Sequence, residues 1–228
     1  GRVIFETRVV IGKDVPDQRS PEFSDEMEHM VINPSWGVRR SIVVKEYLPL
    51  LQRNPNAVAH LQVVDRNGRV ISRNAVNFAA YSARSFPYGL RQPPSERNAL
   101  GQVKFMFPNR HDVYMHDTPM KQLFGQRGRA YSAGCVRIDG VFDLVAWILK
   151  DVPSMDRAQI DVILRDGQPV DIPLPRPVPV HFVYQTAWAS PDGRIDFRPD
   201  LYGRDGIKDI RDGYGNEVVP QTAQALAP

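Results

Sequence analysis

The sequence predicts a mainly β fold with a few short helices. Strand-like runs rich in β-branched and aromatic residues recur along the chain, separated by Gly, Pro and Asn. Only one stretch has a clear helical period. With 228 residues, of which 42% are hydrophobic, the chain is long enough to bury one sizeable core. We therefore expect sandwich-like mixed β-sheets, short helices flanking one loop, and an inserted subdomain.

The first part of the chain alternates strand-like runs with turns. Residues 2–11 are rich in β-branched residues and end at Gly12, which predicts a strand. A second strand is predicted at Val31–Ile32, before Asn33-Pro34. Ser41 is predicted to cap a short helix over residues 42–48.

Residues 48–92 are predicted to form an inserted lobe between two parts of one domain, residues 1–47 and residues 93–228 with a C-terminal extension. Within the lobe, residues 60–72 predict a β-hairpin with an Asn-Gly turn. The rest of the lobe interleaves aromatic residues with Ser, Gly and Pro. Two interpretations stay open: a lobe that closes over a substrate, and a structural flap that buries its own aromatic residues.

A second hairpin is predicted from strands at 103–107 and 112–116, and it places His116 at a strand end. Thr118 and Pro119 suit the start of a short helix that Gly125 ends. An Arg- and Gly-rich loop then leads to Cys135.

After Cys135, Asp139 is predicted to cap a helix whose apolar residues repeat at i, i+3, i+4 and i+7. Residues 160–164 predict a strand. Five prolines within 169–179 exclude a helix and favour an extended edge segment. The remaining predicted strands are 180–184, 186–188 and 194–197, and the polar tail after residue 203 is expected to be loosely ordered.

Cys135 is the single cysteine of the chain, so it cannot form an internal disulfide. A lone cysteine is most often an inert, buried, small apolar residue. Here Gly134 precedes it and Arg137 follows it, a context that favours a nucleophile. A nearby cation lowers a thiol pKa, and an imidazole within hydrogen-bond reach accepts its proton. We therefore predict cysteine acyl transfer, with a thiol that Arg137 helps to ionise near neutral pH.

Two of the five histidines lie close before the loop, His111 and His116. Residues an odd number apart on a strand point to opposite faces, so both are not expected to face one site. His116 ends its strand and is the predicted base, whereas His111 follows a turn and is predicted to be solvated.

Other classes of site are disfavoured. A metal centre lacks enough suitably spaced ligands, so no metal and no cofactor is expected. A serine hydrolase motif fails because Ala130 stands where its first glycine would be. The net charge of +3 is carried by scattered cations, so it does not indicate nucleic-acid binding and does not identify a partner.

The run His116-Asp-Thr-Pro followed by Ser132-Ala-Gly-Cys-Val-Arg137 resembles the signature of the L,D-transpeptidases, the YkuD-like family that cross-links bacterial peptidoglycan. The resemblance is greatest to its large periplasmic branch, which has an inserted capping lobe. Similar runs occur at 23–27, 33–38, 98–101, 104–109 and 186–188, so the resemblance covers most of the chain. One departure is Ala133, where much of the family has histidine.

The resemblance implies roles for individual residues. Cys135 would be the nucleophile and His116 the general base and acid, oriented by the backbone carbonyl of Asp117. The side chain of Asp117 has the alternative role of capping the next helix. Amides of Gly134 and Cys135 are the candidates for the oxyanion hole. The predicted substrate-binding residues are Arg137, Ser132, Arg129 and Tyr131. Arg137 could bind a substrate carboxylate through two hydrogen bonds.

The implied reaction releases D-alanine from a tetrapeptide donor, forms an acyl-enzyme, and transfers the acyl group to a diamino-acid amine in a 3→3 cross-link. Carbapenems would acylate the same thiol. Alternatives are L,D-carboxypeptidase or protein-tethering activity at this site, and a non-catalytic peptidoglycan-binding module. The resemblance implies a location in the periplasm or cell envelope. Neither a signal peptide nor a membrane-spanning run is visible, and Gly1 begins abruptly inside a strand-like pattern, so we expect the chain to be part of a longer exported or membrane-anchored protein.

Overall fold

The computed structural model describes residues 3–190 and 192–205, and the strands in this part form three sheets. The strands are β1 Val9–Gly12, β2 Phe23–Ile32, β3 Trp36–Gly37, β4 Gln62–Val64, β5 Val70–Ile71, β6 Gly89–Gln92, β7 Val103–Met106, β8 Met115–His116, β9 Ala130–Ser132, β10 Val136–Ile138, β11 Val170–Phe182, β12 Ala187–Ala189 and β13 Ile195–Phe197. The helices are α1 Arg40–Ile42, a π-helical turn Val43–Tyr47, α2 Leu48–Arg53, α3 Val141–Leu149 and α4 Arg157–Asp166, and 3₁₀ turns lie at Arg73–Ala75, Phe78–Ala80 and Lys121–Gly125.

The main sheet has seven strands in the order β11-β2-β7-β8-β10-β1-β9. It is mixed, because β8 pairs with β10 and β1 with β9 in parallel while the other neighbours are antiparallel. The smaller sheets are β3-β6-β4-β5 and the hairpin β12-β13. The predicted mainly β fold with mixed sheets and short helices is confirmed.

One face of the main sheet carries the larger hydrophobic core, onto which α3 and α4 pack. Val103 and Phe105 of β7 are fully buried in it, together with Val145 of α3 and Ile160 of α4. Side chains alternate along a strand, so Lys104, between the two buried β7 residues, belongs to the opposite face. That opposite face carries the candidate site.

A second hydrophobic core belongs to the segment from Trp36 to Gln92, which contains the four-stranded sheet, α1 and α2. The predicted hairpin is present as β4 and β5, with Gly68 at φ +77° in the turn. The aromatic residues Phe78, Phe86, Tyr81 and Tyr88 pack on one another inside this core. The sheet and core begin before residue 48, the predicted start of the lobe; whether the segment is a separate capping subdomain stays a prediction.

The proline-rich segment forms part of β11, the edge strand of the main sheet. Pro173, Pro175, Pro177 and Pro179 lie within this 13-residue strand, and its pairing with β2 is interrupted between Pro173 and Val178. An edge position tolerates proline because N–H groups that face away from the sheet have no ladder partner to lose. The predicted extended edge is confirmed.

The predicted strand at 160–164 is wrong, because these residues lie within helix α4. Asp156 caps the helix by accepting a hydrogen bond from the Gln159 amide at 2.9 Å, and Gly167 ends it in the left-handed conformation. Ile160 and Ile163 are buried against the core. Capping and the i, i+3 burial pattern outweigh the strand preference of the β-branched residues.

Two further differences concern boundaries. The first strand begins at Val9 rather than residue 2. Ser41 lies inside α1, whose N-cap is Arg39 without a side-chain cap bond. The predicted polar tail from residue 206 onward lies outside the described residues. Within the described ranges, no helix has both the length and the apolar character needed to cross a membrane.

Candidate active site

Three neighbouring strands place a row of cationic and titratable side chains on the face of the main sheet opposite the larger core. His116 of β8 is aligned with Lys104 of β7 on one side and with Arg137 of β10 on the other. Residues aligned across a sheet project from the same face. The sheet register therefore brings together His116 and Arg137, which are 21 positions apart in the sequence.

Cys135 directly precedes β10 and lies two residues before Arg137, so its side chain belongs to the same face. It is thus a diagonal neighbour of His116 across the parallel β8–β10 pair. The thiol is free and half-buried. The Tyr114 carbonyl accepts a hydrogen bond from the Val136 amide at 3.1 Å, which ties the Cys135 loop to the strand of His116.

The His116 ring is fixed by the backbone that follows it. Its Nδ1 makes a short hydrogen bond with the Asp117 carbonyl oxygen, and the side chain is only 4% exposed. A carbonyl can only accept a hydrogen bond, so Nδ1 carries the proton and Nε2 is left with a free lone pair. This is the tautomer that a general base requires.

The Asp117 carboxylate holds the loop beside the site and does not cap the next helix. Its Oδ2 accepts a hydrogen bond from the Gln102 amide at 2.9 Å, and its Oδ1 pairs with the Lys121 ammonium. The next helical turn, Lys121–Gly125, begins after Met120 and has no side-chain cap, so the predicted cap at Thr118 is wrong. The Thr118 hydroxyl instead accepts a hydrogen bond from the Met120 amide at 3.2 Å. Asp117 therefore contacts the base through its carbonyl, and its side chain anchors that peptide.

Comparison with known proteins assigns the chain to a family. Residues 1–172 match the YkuD family, described as the L,D-transpeptidase catalytic domain. The chain belongs to the L,D-transpeptidase catalytic domain family. A Haemophilus influenzae protein named as a candidate L,D-transpeptidase is 30% identical over 207 residues. That alignment covers 90% of this chain and 41% of the relative, so the chain spans less than half the length of the curated relative it matches.

In this L,D-transpeptidase domain, the loop before Cys135 is held by its own serine. The Ser132 hydroxyl accepts a hydrogen bond from the Gly134 amide at 3.1 Å and donates one to the Cys135 carbonyl at 2.5 Å. Ser132 is 3% exposed and its hydroxyl bonds shape the loop, so its predicted contact with substrate stays a prediction. Gly134 has φ +111°, a conformation that favours glycine.

The same contacts correct the predicted oxyanion hole. The Gly134 amide, one of the two predicted donors, already donates to Ser132. The Cys135 amide has no acceptor among the residues that the structure describes. Of the two amides, only that of Cys135 is free to bind a developing oxyanion.

The protonation states of the pair differ from the prediction. Burial raises the pKa of the Cys135 thiol above its ordinary value, against the opposing effects of the Tyr114 amide and of the cations Arg39 and Lys104. Burial also lowers the pKa of His116 to about 4, with Arg137 adding to the decrease and the Asp117 carbonyl opposing it. The prediction of a thiol ionised near neutral pH is therefore wrong, because desolvation outweighs the nearby cations. The resting pair is a neutral thiol and a neutral imidazole.

Arg137 is a half-buried cation beside this pair. Its Nε is fully buried and has no hydrogen-bond partner in the described part of the chain, and its Nη1 lies 3.8 Å from the Met120 sulfur. Burial lowers the pKa of Arg137. Arg137 has no carboxylate partner among the described residues, and a guanidinium in that state is suited to bind an anionic group of a ligand.

The other two predicted substrate-binding residues have weaker geometry. Arg129 donates to the Val9 carbonyl at 3.0 Å and to the Gln126 carbonyl at 3.1 Å, so its guanidinium is used within the fold. Tyr131 is 42% exposed on the strand that leads to the loop. His111 lies in a turn, as predicted, but it is half-buried rather than solvated, with its ring 5.2 Å from that of Phe23.

Sequence reasoning missed three residues around the thiol. Lys104 holds its Nζ 3.9 Å from the ring centroid of Tyr114, and the Tyr114 ring lies 5.7 Å from that of His116. Arg39 donates to the Ala133 carbonyl at 3.2 Å and to the Asp112 carbonyl at 2.5 Å, which links the chain before α1 to the Cys135 loop. Tyr114 could have been predicted near the site, because it lies two residues before His116 and alternate residues of a strand share a face. Nothing in the sequence around Arg39 indicates that it contacts the Cys135 loop.

Proposed function

We propose that this domain is a peptidoglycan L,D-transpeptidase that works through a cysteine acyl-enzyme. The family assignment supports the activity and the class of substrate. The observation that carries the mechanism is the bond from His116 Nδ1 to the Asp117 carbonyl, because it leaves Nε2 unprotonated on the face that also carries Cys135.

In the first half-reaction, the Cys135 sulfur attacks the carbonyl carbon of the amide between the diamino acid and the terminal D-alanine of a tetrapeptide stem. His116 Nε2 takes the thiol proton as the C–S bond forms. The Cys135 amide donates to the resulting oxyanion. When the C–N bond breaks, His116 returns the proton to the amine of the departing D-alanine, and a thioester remains.

In the second half-reaction, the side-chain amine of a diamino acid on a neighbouring stem attacks the thioester. His116 accepts a proton from this amine, and the C–S bond breaks to give a 3→3 amide. The thiolate of Cys135 then recovers its proton from His116. Arg137 is placed to bind a carboxylate of a stem peptide, which would orient the scissile amide beside the sulfur.

The proposed substrates are stem peptides of peptidoglycan, which lies in the cell envelope. The proposed location is therefore the periplasm or cell envelope. The proposal also includes covalent inhibition by carbapenems, whose strained amide would acylate the thiol of Cys135. Neither step calls for a cofactor, since the proton transfers use His116 and the leaving group is an amine.

The test is incubation of the purified chain with a defined disaccharide-tetrapeptide, followed by mass spectrometry of the products. We expect a 3→3 dimer and an equivalent of free D-alanine from the wild type, and neither from Cys135→Ala. Tripeptide without dimer would assign a carboxypeptidase, in which water is the acceptor. No product together with no imipenem adduct would leave only the non-catalytic binding module.

A further inference from the structure

The Cys135 loop has three consecutive carbonyl groups, and each accepts a hydrogen bond from a different side chain. Arg39 Nη1 donates to the Ala133 carbonyl at 3.2 Å. Ser20 Oγ donates to the Gly134 carbonyl at 2.9 Å. Ser132 Oγ donates to the Cys135 carbonyl at 2.5 Å. The orientation of every peptide plane around the thiol is therefore set by a side chain.

The peptide between Gly134 and Cys135 matters most for chemistry. In a trans peptide the C=O and N–H bonds point in opposite directions across one rigid plane. The Gly134 carbonyl points into the protein toward Ser20. The Cys135 N–H must therefore point away from Ser20, and it has no acceptor among the described residues.

Ser20 is itself held in one orientation. Its hydroxyl oxygen accepts a hydrogen bond from the Gly12 amide at 3.0 Å, so its single proton is directed to the Gly134 carbonyl. The Ser20 amide donates to the Tyr202 hydroxyl at 3.3 Å, and that hydroxyl donates to the Gly12 carbonyl at 2.6 Å. Ser20 is 8% exposed. This network joins the end of β1, the segment before β2 and the chain after β13 to the Cys135 loop.

The close packing around Gly12 keeps this network in place. A β-carbon at residue 12 would lie 2.1 Å from the Gln18 carbonyl oxygen and 2.6 Å from the Ser20 amide nitrogen. The absence of a side chain lets the segment ahead of Ser20 fold back tightly on β1. The hydroxyl of Ser20 thus reaches the loop from a backbone that has little room to shift.

We propose that Ser20 is a positioning residue that aims the Cys135 amide at the oxyanion of the tetrahedral intermediate. Ser20 does not touch the substrate; it acts through the peptide plane that it shares with the amide. This inference rests on the proposed acyl transfer, because an aimed amide has a use only where a carbonyl oxygen gains negative charge. Removal of the Ser20 hydroxyl frees the plane to rotate, and the donor is then misaligned in the transition state.

The test compares two reactions of one thiol in the wild type, Ser20→Ala and Tyr202→Phe. Acylation by imipenem passes through an oxyanion, whereas alkylation by iodoacetamide does not. We expect Ser20→Ala to slow acylation about 10- to 100-fold, with alkylation changed less than about twofold. Tyr202→Phe removes a hydroxyl from the same network without touching the loop, so its acylation rate should stay near that of the wild type. Ser20→Thr, which keeps the hydroxyl, should restore acylation.

Thermal unfolding of each variant separates this effect from loss of fold. If Ser20→Ala does not fold, Ser20→Cys replaces it, because a thiol fills a similar volume and donates weakly; peptide mapping then locates the adduct at Cys135. Equal acylation rates in the folded variant and the wild type would overturn the inference alone, as would a parallel loss of acylation and alkylation. A wild type that imipenem does not acylate would contradict both the proposed function and the role of Ser20.

Discussion

Gly101 packs directly against Asp117: a β-carbon on Gly101 would lie 2.3 Å from Asp117 Oδ2. Gly101 also has φ +62°, in the left-handed region. The Asp117 carboxylate accepts a hydrogen bond from the Gln102 amide, and the Asp117 carbonyl orients His116. The turn at residue 101 is therefore coupled to the position of the base, although it lies outside the site.

Gly101→Ala should lower the free energy of unfolding by roughly 2–5 kcal/mol, from backbone strain together with overpacking against a buried carboxylate. Urea denaturation measures this. Gly68→Ala is the matched control, because Gly68 has φ +77° but open space around it. That variant should lose only about 1–2 kcal/mol. Equal losses in the two variants would mean that contact with Asp117 contributes nothing.

His116→Gln should slow acylation of Cys135 by about 10²–10⁴-fold at pH 7, since the neutral thiol then has no base to accept its proton. The thiol itself remains, so alkylation by iodoacetamide at high pH should proceed as in the wild type. Stopped-flow measurement of imipenem acylation checks the rate. A variant that acylates at the wild-type rate would remove His116 from the mechanism.

The buried neutral His116 should make stability depend on pH. Its pKa in the fold is about 4, below its ordinary value of 6.5. Between these values the unfolded chain binds more protons, so stability rises with pH in this window and is lost as the pH falls from about 6.5 to 4. The contribution of His116 is at most roughly 3 kcal/mol. The difference in unfolding free energy between the wild type and His116→Gln, measured from pH 4 to 7, isolates it from the carboxylates; a pH-independent difference would contradict the assignment.

Alkylation of Cys135 should show a midpoint above the pH at which an ordinary thiol ionises, because burial raises its pKa. Arg39 is one of the cations that oppose this effect, so Arg39→Gln should move the midpoint to still higher pH. Lys45→Gln is the control, since Lys45 is an exposed lysine that pairs with Asp17. A midpoint that does not move in Arg39→Gln would show that the guanidinium does not act on the thiol.

Arg137→Met should impair function without impairing the fold. Its buried Nε has no partner among the described residues, so removal of the charge should leave the melting temperature unchanged or raise it. The kcat/KM for a stem peptide should fall at least about tenfold through loss of the carboxylate contact. Arg129→Met should have the opposite effect. It removes two hydrogen bonds to backbone carbonyls, so the free energy of unfolding should fall by about 1 kcal/mol while activity is kept. A fall in stability for Arg137→Met would indicate a structural role.

The sequence was most informative where chemistry is local. Neighbouring residues were enough to predict the hairpin that carries His116 and the extended edge strand formed by the proline-rich segment. Helix α4 was not, because Ile160 and Ile163 favour a strand by propensity and are helical by virtue of caps and burial. The predicted thiol ionisation failed for a similar reason, since burial is a property of the whole fold.

Ser20 and Arg39 illustrate the limit of sequence reasoning. Ser20 contacts a carbonyl 114 positions away, and Arg39 contacts one 94 positions away. Neither residue belongs to a motif with the cysteine, and serine and arginine in loops are usually solvated. Only the pairing of β1 with β9 and β10, which brings the start of the chain to the Cys135 loop, makes their roles visible.

The edge strand β11 has a consequence for behaviour in concentrated solution. Sheets with open edges can polymerise when strands of separate molecules join through backbone hydrogen bonds. The four prolines of β11 remove four N–H donors from this border of the sheet. A strand from another molecule that paired with β11 would have carbonyl groups without donors opposite these prolines. This edge is therefore protected from the addition of strands that builds fibrils.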